Sequence, residues 1–122
     1  MATIKSYTDL EQSKKLVEIL SLETADMYYI LMSDGVYNNF PLTGRKTELA
    51  YDTDIPCWSL AALLNYLKSK DKFPEIKELS DGRFKLAIYI WDGKDCIQVS
   101  IGDSIVDACC ELILKLKESN LL

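Results

Sequence analysis

The chain has 122 residues, of which 48% are hydrophobic and 27% are charged, and its formal net charge is −5. These values predict one globular domain over residues 1–122 and exclude a disordered chain, which would combine low hydrophobicity with high net charge. The acidic balance disfavours direct nucleic-acid binding, which depends largely on neutralising phosphates. We expect a cytoplasmic protein without membrane association, because residues 1–15 lack the apolar core of a signal peptide and no apolar run reaches the ~20 residues that span a bilayer.

The first half of the chain predicts a helix and a strand, followed by a long loop. Thr8 and Glu11 have the spacing of a capping box, which predicts a helix from about Asp9 to Leu20. The segment DMYYILMS is apolar on both alternating faces and predicts a strand, with VYNNF pairing back across the SDG turn. Residues 41–56 predict a loop long enough to be functional or mobile.

The segment IPCWSLAALLNYL predicts a second helix, from Cys57 to about Lys68. Its pattern is apolar nearly all round, which is typical of a helix buried on more than one face. We therefore interpret Trp58 as a packing anchor rather than a platform for a ligand, and the whole segment as part of the core.

Three short strands and a final helix are predicted in the second half. IKEL, FKLAIYIW and CIQVSI are separated by SDGR and DGKD, and Asp-Gly between alternating runs indicates a hairpin. The last helix is predicted to begin after Ser104 as N-cap, with Asp107 in its first turn. The residues predicted to face the core are Phe84, Leu86, Ile88 and Ile90 on one strand, and Ile97, Val99 and Ile101 on the next.

The element order α-β(β)-α-βββ-α predicts an α+β fold. We expect a single antiparallel sheet, with a meander in the C-terminal half, packed against about three helices. If the helices cover only one face, Tyr89 and Trp91 are left near solvent on the other face, and Tyr28 joins them if the first strand pairs beside this hairpin. Aromatic residues are favoured at interface centres, so these three residues form a candidate surface for a partner or for self-association. The alternative is that the 41–56 loop folds over these rings and buries them.

The residue types that carry most catalytic chemistry are missing. The chain has no histidine, which excludes Ser-His and Cys-His pairs, and it has no phosphate-binding or dinucleotide-binding glycine motif. Its four cysteines, none in CxxC spacing, lie among apolar residues, where free cysteine behaves as a small hydrophobe. We therefore predict no catalytic residue, no cofactor and no metal, with all four thiols reduced.

Four segments carry a resemblance to a known family: SYTDLEQSKKLVEIL, ETADM, IPCWSLAALLNYL and DSIVDACCELILKLKESNLL. They resemble a family of small, uncharacterised bacterial proteins that are often associated with prophage or other mobile-element regions. That family opens with a YTDIEQSKKLAEIL-like helix and closes with an NPVDACYEMIIKL-like helix, where this chain has Ser104-Ile105 in place of Asn-Pro. The resemblance covers about half of the chain and implies a cytosolic accessory protein, but it supplies no catalytic residue.

Three functional interpretations follow from the sequence. The first is a non-enzymatic binding module that meets an unknown protein partner or a second copy of itself. The second is an acidic inhibitor that occupies a nucleic-acid-handling protein, which suits a mobile-element origin and the negative charge. The third is a small enzyme that uses carboxylate or cysteine chemistry.

Overall fold

The computed structural model describes residues 5–43, 54–89 and 96–122. Within them it confirms the α+β class, with three helices and two antiparallel three-stranded sheets in an order broadly consistent with the predicted one. The helices are α1 (Leu10–Leu16), α2 (Leu60–Ser69) and α3 (Ile105–Glu118), and a 3-10 turn spans Leu22–Thr24. The strands are β1 (Met27–Tyr29), β2 (Leu42–Thr43), β3 (Ile55–Cys57), β4 (Glu75–Glu78), β5 (Phe84–Tyr89) and β6 (Cys96–Gly102).

The prediction of a single sheet is wrong. Strand β1 pairs with β2 and β3, which lie at the two ends of the predicted loop, and not with the strands of the C-terminal meander. The first sheet has the order β2-β1-β3, and the second has the order β4-β5-β6. In the first sheet Tyr28 lies opposite both Leu42 and Pro56. Pro56, which lacks an N–H, is accommodated because β3 is an edge strand in this sheet. The flanks of the predicted 41–56 loop are therefore strands, and its centre, residues 44–53, lies outside the described residues.

Helix α1 begins one residue later than the predicted capping box. Asp9, not Thr8, is the N-cap: its Oδ1 accepts the N–H of Gln12 at 2.8 Å, and Gln12 Oε1 accepts the N–H of Asp9 at 3.0 Å. Thr8 is instead fully buried, and its N–H donates to the main-chain oxygen of Trp58 at 2.9 Å. The pairing of the N-terminal segment with the start of α2 thus determines which residue caps the helix.

Helix α2 also begins later than predicted, because Ile55–Cys57 is extended. Ser59 is the N-cap and accepts the N–H of Ala62 at 3.1 Å. Leu63 and Leu67 are fully buried, whereas the opposite side of the helix is exposed, so α2 is amphipathic rather than apolar all round. Trp58 is fully buried just before this helix, as predicted for a packing anchor.

The core lies between the three helices and the inner face of the β4-β5-β6 sheet. Helix α3 contributes more buried residues to this core than any other element. Leu86 and Ile88 face this core as predicted. The prediction for the last strand is wrong in its alternation: Ser100 lies opposite Leu86 and is buried, whereas Ile101 is exposed. A register shift beside Ile88 returns Ile97 to the core side.

Candidate interaction surface

The structure places Tyr28 and Tyr89, two of the three aromatic residues predicted to form a candidate surface, in different sheets. Tyr28 lies in the first sheet, and Tyr89 ends β5 in the second sheet, opposite Cys96. The first strand therefore does not pair beside the second hairpin. Both tyrosines are partly exposed. Trp91 lies outside the described residues.

Four of the exposed large apolar side chains lie on a hairpin that we call the β-arm, residues 27–43. It contains β1, β2 and the segment that joins them. A tight turn closes its tip: the N–H of Met32 donates to the oxygen of Val36 at 2.9 Å, and Asp34 Oδ1 accepts the N–H of Val36 at 3.1 Å. Gly35 has a φ of +84°, a left-handed conformation that glycine adopts without steric strain.

The base of the β-arm is fixed to the rest of the fold. Tyr29 is buried there, and its hydroxyl donates to the main-chain oxygen of Thr8 at 2.8 Å. Further out, the N–H of Asn38 donates to the oxygen of Ile30 at 3.1 Å, and Asn38 Oδ1 accepts the N–H of Ile30 at 2.9 Å. Because the side chain of Asn38 replaces one main-chain partner, the ladder continues through a segment that is not regular strand. Hydrogen bonds thus connect the tip of the β-arm to its base and the base to the rest of the fold.

Four large apolar side chains of the β-arm reach solvent. The exposed fractions are 72% for Phe40, 61% for Val36, 49% for Met32 and 43% for Leu42. Tyr28, one of the residues predicted to contact a partner, lies directly opposite Leu42. Asp34 is the only charged residue in the arm. The arm is therefore nearly neutral, and its four exposed apolar side chains lie among exposed polar residues such as Ser33, Asn39 and Thr43.

A second cluster, around Cys57, is buried and polar. Cys57 Sγ donates to the oxygen of Thr8 at 3.3 Å, and the hydroxyl oxygens of Thr8 and Ser13 lie 2.8 Å apart. Burial raises the pKa of Cys57, and hydrogen bonds to Thr8, Ser13 and Tyr29 only partly offset that effect. Burial, together with the neighbouring Cys57, also raises the pKa of Tyr29. Both groups therefore stay protonated at neutral pH and serve as hydrogen-bond partners inside the fold.

The other cysteines divide into two kinds. Cys109 and Cys110 are buried in α3, and burial raises the pKa of each to about 12. Cys96 is exposed at the start of β6. None of the four forms a disulfide, and the structure places no group of three potential metal ligands together within residues 5–43, 54–89 and 96–122. The nucleophilic thiolate form is thus disfavoured at all three buried positions.

Two open clefts accompany these features. One, of about 630 Å³, lies between the 3-10 turn and α2, and the other, of about 520 Å³, lies between β6 and α3. Asp107 at the second cleft accepts hydrogen bonds from Lys5 Nζ at 2.6 Å and from Gln12 Nε2 at 2.8 Å. Its carboxylate is thereby bound within the chain, which makes it part of a structural network.

Comparison with protein families, curated proteins and solved structures identifies no relative of this chain. No family model, no curated protein and no solved structure matches it. The helices of the described segments include none long and apolar enough to cross a membrane.

Proposed function

We propose that this protein is a non-enzymatic interaction module that binds a partner protein through the exposed apolar side chains of the β-arm. One observation carries the proposal: Phe40, Val36, Met32 and Leu42 are exposed on a hairpin whose base is fixed. Concentrated apolar exposure on a protein surface is typical of an interaction site. A hairpin that is hydrogen-bonded to the fold before binding loses less conformational entropy when such a site is occupied.

The chemistry of the β-arm favours a protein partner over nucleic acid. Residues 27–43 contain neither lysine nor arginine, so they offer no positive charge to phosphates. Their large apolar side chains, including the aromatic ring of Phe40, match the composition of interface centres. We expect binding that depends only weakly on ionic strength, because little charge is present to be screened.

The proposal that the protein is not an enzyme is supported by its thiols and by its composition. Three of the four cysteines are buried with raised pKa values, and the chain has no histidine to act as a general base. The carboxylate of Asp107, beside the second cleft, is occupied by Lys5 and Gln12.

We also propose that the protein is a cytoplasmic accessory protein of a bacterial mobile element. The mobile-element origin is supported by the resemblance of its first, central and last helical segments to the family described above. Four unpaired cysteines fit a reducing compartment.

The test is a comparison of matched surface variants. Wild-type protein, a Val36→Ser/Phe40→Ser double variant and a Leu22→Ser control are immobilised and exposed to extract of the native host. Leu22 is also exposed, but it lies outside the β-arm. We expect one protein to be retained by the wild type and the control but not by the double variant. That protein is then purified and titrated against each of the three.

A purified partner that binds the double variant as tightly as the wild type would refute the proposal. So would a double variant that has lost its circular dichroism spectrum, because the arm residues would then be needed for folding. Repeating the titration at high salt separates this interface from a charge-driven contact with a nucleic-acid-handling protein, whose affinity would fall steeply.

A further inference from the structure

Strand β4 lies at the edge of its sheet, and its hydrogen-bonding groups can be assigned to one side or the other. Leu79 donates its N–H to the oxygen of Arg83 at 2.7 Å. The main-chain groups of successive residues point to opposite edges of a strand. The N–H and oxygen of Glu75 and Lys77 therefore also bond to β5, whereas the N–H and oxygen of Ile76 and Glu78 point outward. Within the part of the chain that the structure describes, the outward groups of Ile76 have no hydrogen-bond partner.

The opposite edge of the same sheet is protected. In β6 the oxygen of Val99 accepts a hydrogen bond from Lys115 Nζ at 3.0 Å, and its N–H donates to Gln98 Oε1 at 3.2 Å. Side chains of the same molecule thus occupy positions that a further strand would need. The available edge of this sheet is β4.

Strand β4 has an exposed apolar side chain and charged side chains that form no ion pair within the described residues. Ile76 lies opposite the buried Leu86, so it shares the inner face, yet it is 42% exposed. Lys77 lies opposite Lys85, which places two positive charges side by side. No ion pair joins Glu75, Lys77 or Lys85 to another residue in the described ranges.

We propose that two copies of the chain pair through β4, antiparallel about a twofold axis at Ile76, to form a continuous six-stranded sheet. In this register the outward N–H and oxygen of Ile76 bond to those of the second Ile76, which satisfies the outward groups of Ile76 in both copies. The two Ile76 side chains meet on the inner face. Glu75 of each copy lies opposite Lys77 of the other, so two ion pairs form on the outer face.

The sequence of the strand selects this register over its neighbour. Centring the axis on Lys77 would bring two lysines directly opposite each other, each already beside Lys85. Centring it on Ile76 supplies each Lys77 with a carboxylate instead. The contact is small, since each strand has four residues, so we expect a dimer that dissociates on dilution. It uses neither the β-arm nor its proposed partner.

Charge exchange between the copies tests the proposal. Glu75→Lys places lysine opposite lysine at both pairs, and Lys77→Glu places glutamate opposite glutamate at both. We expect each variant to raise the dimer dissociation constant about tenfold or more. An equimolar mixture of the two restores both ion pairs in a heterodimer, and the Glu75→Lys/Lys77→Glu double variant restores them in a homodimer. Glu18→Lys, in the exposed turn that follows α1, is the matched charge control.

Sedimentation velocity over a concentration series is the measurement, with thermal melting of each variant as the check on folding. At a concentration where wild type and the Glu18→Lys control approach twice the 13.9 kDa of one chain, we expect both single variants to be largely monomeric and their equimolar mixture to dimerise. A wild type that is monomeric at every concentration overturns the proposal. The charges of Glu75 and Lys77 would then serve only to keep the edge strand β4 unpaired. Single variants that dimerise as wild type does, or a mixture that stays monomeric, also overturn it.

A second variant guards against single variants that fail to fold. Ile76→Pro removes an N–H that points outward, which an edge strand tolerates, while it removes the central hydrogen bonds of the proposed pair. We expect this variant to melt as a folded monomer at concentrations where the wild type dimerises. A dimeric Ile76→Pro protein would rule out pairing through β4.

Discussion

The Oγ of Ser100 donates a hydrogen bond of 2.6 Å to the main-chain oxygen of Ala108, which joins the inner face of β6 to the first turns of α3. Gly102, two residues along the same face, also lies against this helix, since an added Cβ there would meet the backbone of Asp107 and Ala108. Large side chains at either position would hold the helix away from the strand. The helix and the sheet therefore approach through small residues, which lets Leu112 and Ile113 reach the core.

Replacing Gly102 with alanine should destabilise the fold. A Cβ at this position would lie 2.4 Å from the N of Ala108 and 2.9 Å from two atoms of Asp107, and the two nearest contacts are with main-chain atoms. Because helix backbone moves only with the whole helix, we expect a loss of about 1–3 kcal/mol in the free energy of unfolding. Denaturant titration measures it.

The matched control for that variant is Gly82→Ala. Gly82 has a φ of +89°, and a methyl group added there would have no atom within 4 Å, so alanine adds backbone strain of about 1–2 kcal/mol without a clash. Comparison of the two separates crowding from strain. A Gly102→Ala protein as stable as wild type would show that α3 shifts freely on the sheet.

Part of this fold was predictable because local signals decide it. Ser104 accepts the N–H of Asp107 at 3.0 Å, as its place before an amphipathic run predicts, and Gly82 forms the predicted turn. The alternation of β5 buries Leu86 and Ile88 as expected. In each case neighbours in sequence supply the interactions that determine the structure.

Other parts were not predictable because distant residues decide them. Thr8 and Asp9 are both good N-cap residues, and the choice between them depends on the bond from Thr8 to Trp58. The buried position of Ser100 follows from α3 packing and from the register shift beside Ile88. Strands as short as Leu42–Thr43 have no detectable period, so the separate β2-β1-β3 sheet could not be anticipated.

The candidate surface was only partly accessible to sequence reasoning. Tyr28 was selected as an aromatic residue on a predicted strand, and it does lie at the base of the β-arm, opposite Leu42. Phe40 and Val36 were missed because they lie in irregular hairpin, where alternation does not indicate which side chains are buried. The near absence of charge over residues 27–43 was the available signal. The interface role of Tyr28, Tyr89 and Trp91 stays a prediction.

Truncation of Leu63 and Leu64 should have unequal effects. Leu63 is fully buried in the core, whereas Leu64 is partly exposed beside the first cleft. We expect Leu63→Ala to lower the free energy of unfolding by about 2–5 kcal/mol. Leu64→Ala should lower it by less, because the partly exposed side chain of Leu64 has fewer packing contacts to lose. Thermal melting of both proteins provides the comparison. Equal losses would mean that α2 is buried on both sides.

The four thiols should differ in reactivity by position. Cys96 is exposed, whereas Cys57, Cys109 and Cys110 are buried with pKa values above the ordinary range. Because the thiolate is the reactive form, we expect a thiol reagent to modify one cysteine rapidly in the native protein and all four after denaturation. Cys96→Ser should abolish the rapid phase. Fast modification of a Cys96→Ser protein would show that a buried thiol is accessible and would favour cysteine chemistry.

The Lys5–Asp107 ion pair should make stability depend on pH at the acid end. Burial alone would raise the pKa of Asp107, but hydrogen bonds from Lys5, Gln12 and Ser104 outweigh it and lower that pKa. Burial would likewise lower the pKa of Lys5, and Asp107 and Asp9 together raise it instead. The pair is therefore charged, with a Nζ–Oδ1 distance of 2.6 Å.

The sign of the effect follows from the direction of each shift. A carboxyl group whose pKa is lower in the folded state contributes stability above its unfolded pKa, near 4, and that contribution is lost as the pH falls through the folded value. We expect Asp107→Asn to melt below wild type at neutral pH, with the difference shrinking in strong acid. Asp103→Asn, an exposed neighbour, is the control. Asparagine cannot titrate, so any change in the melting difference with pH reports the charge of Asp107 in the wild type. A difference that stays constant into strong acid would show that Asp107 acts through hydrogen-bond geometry alone.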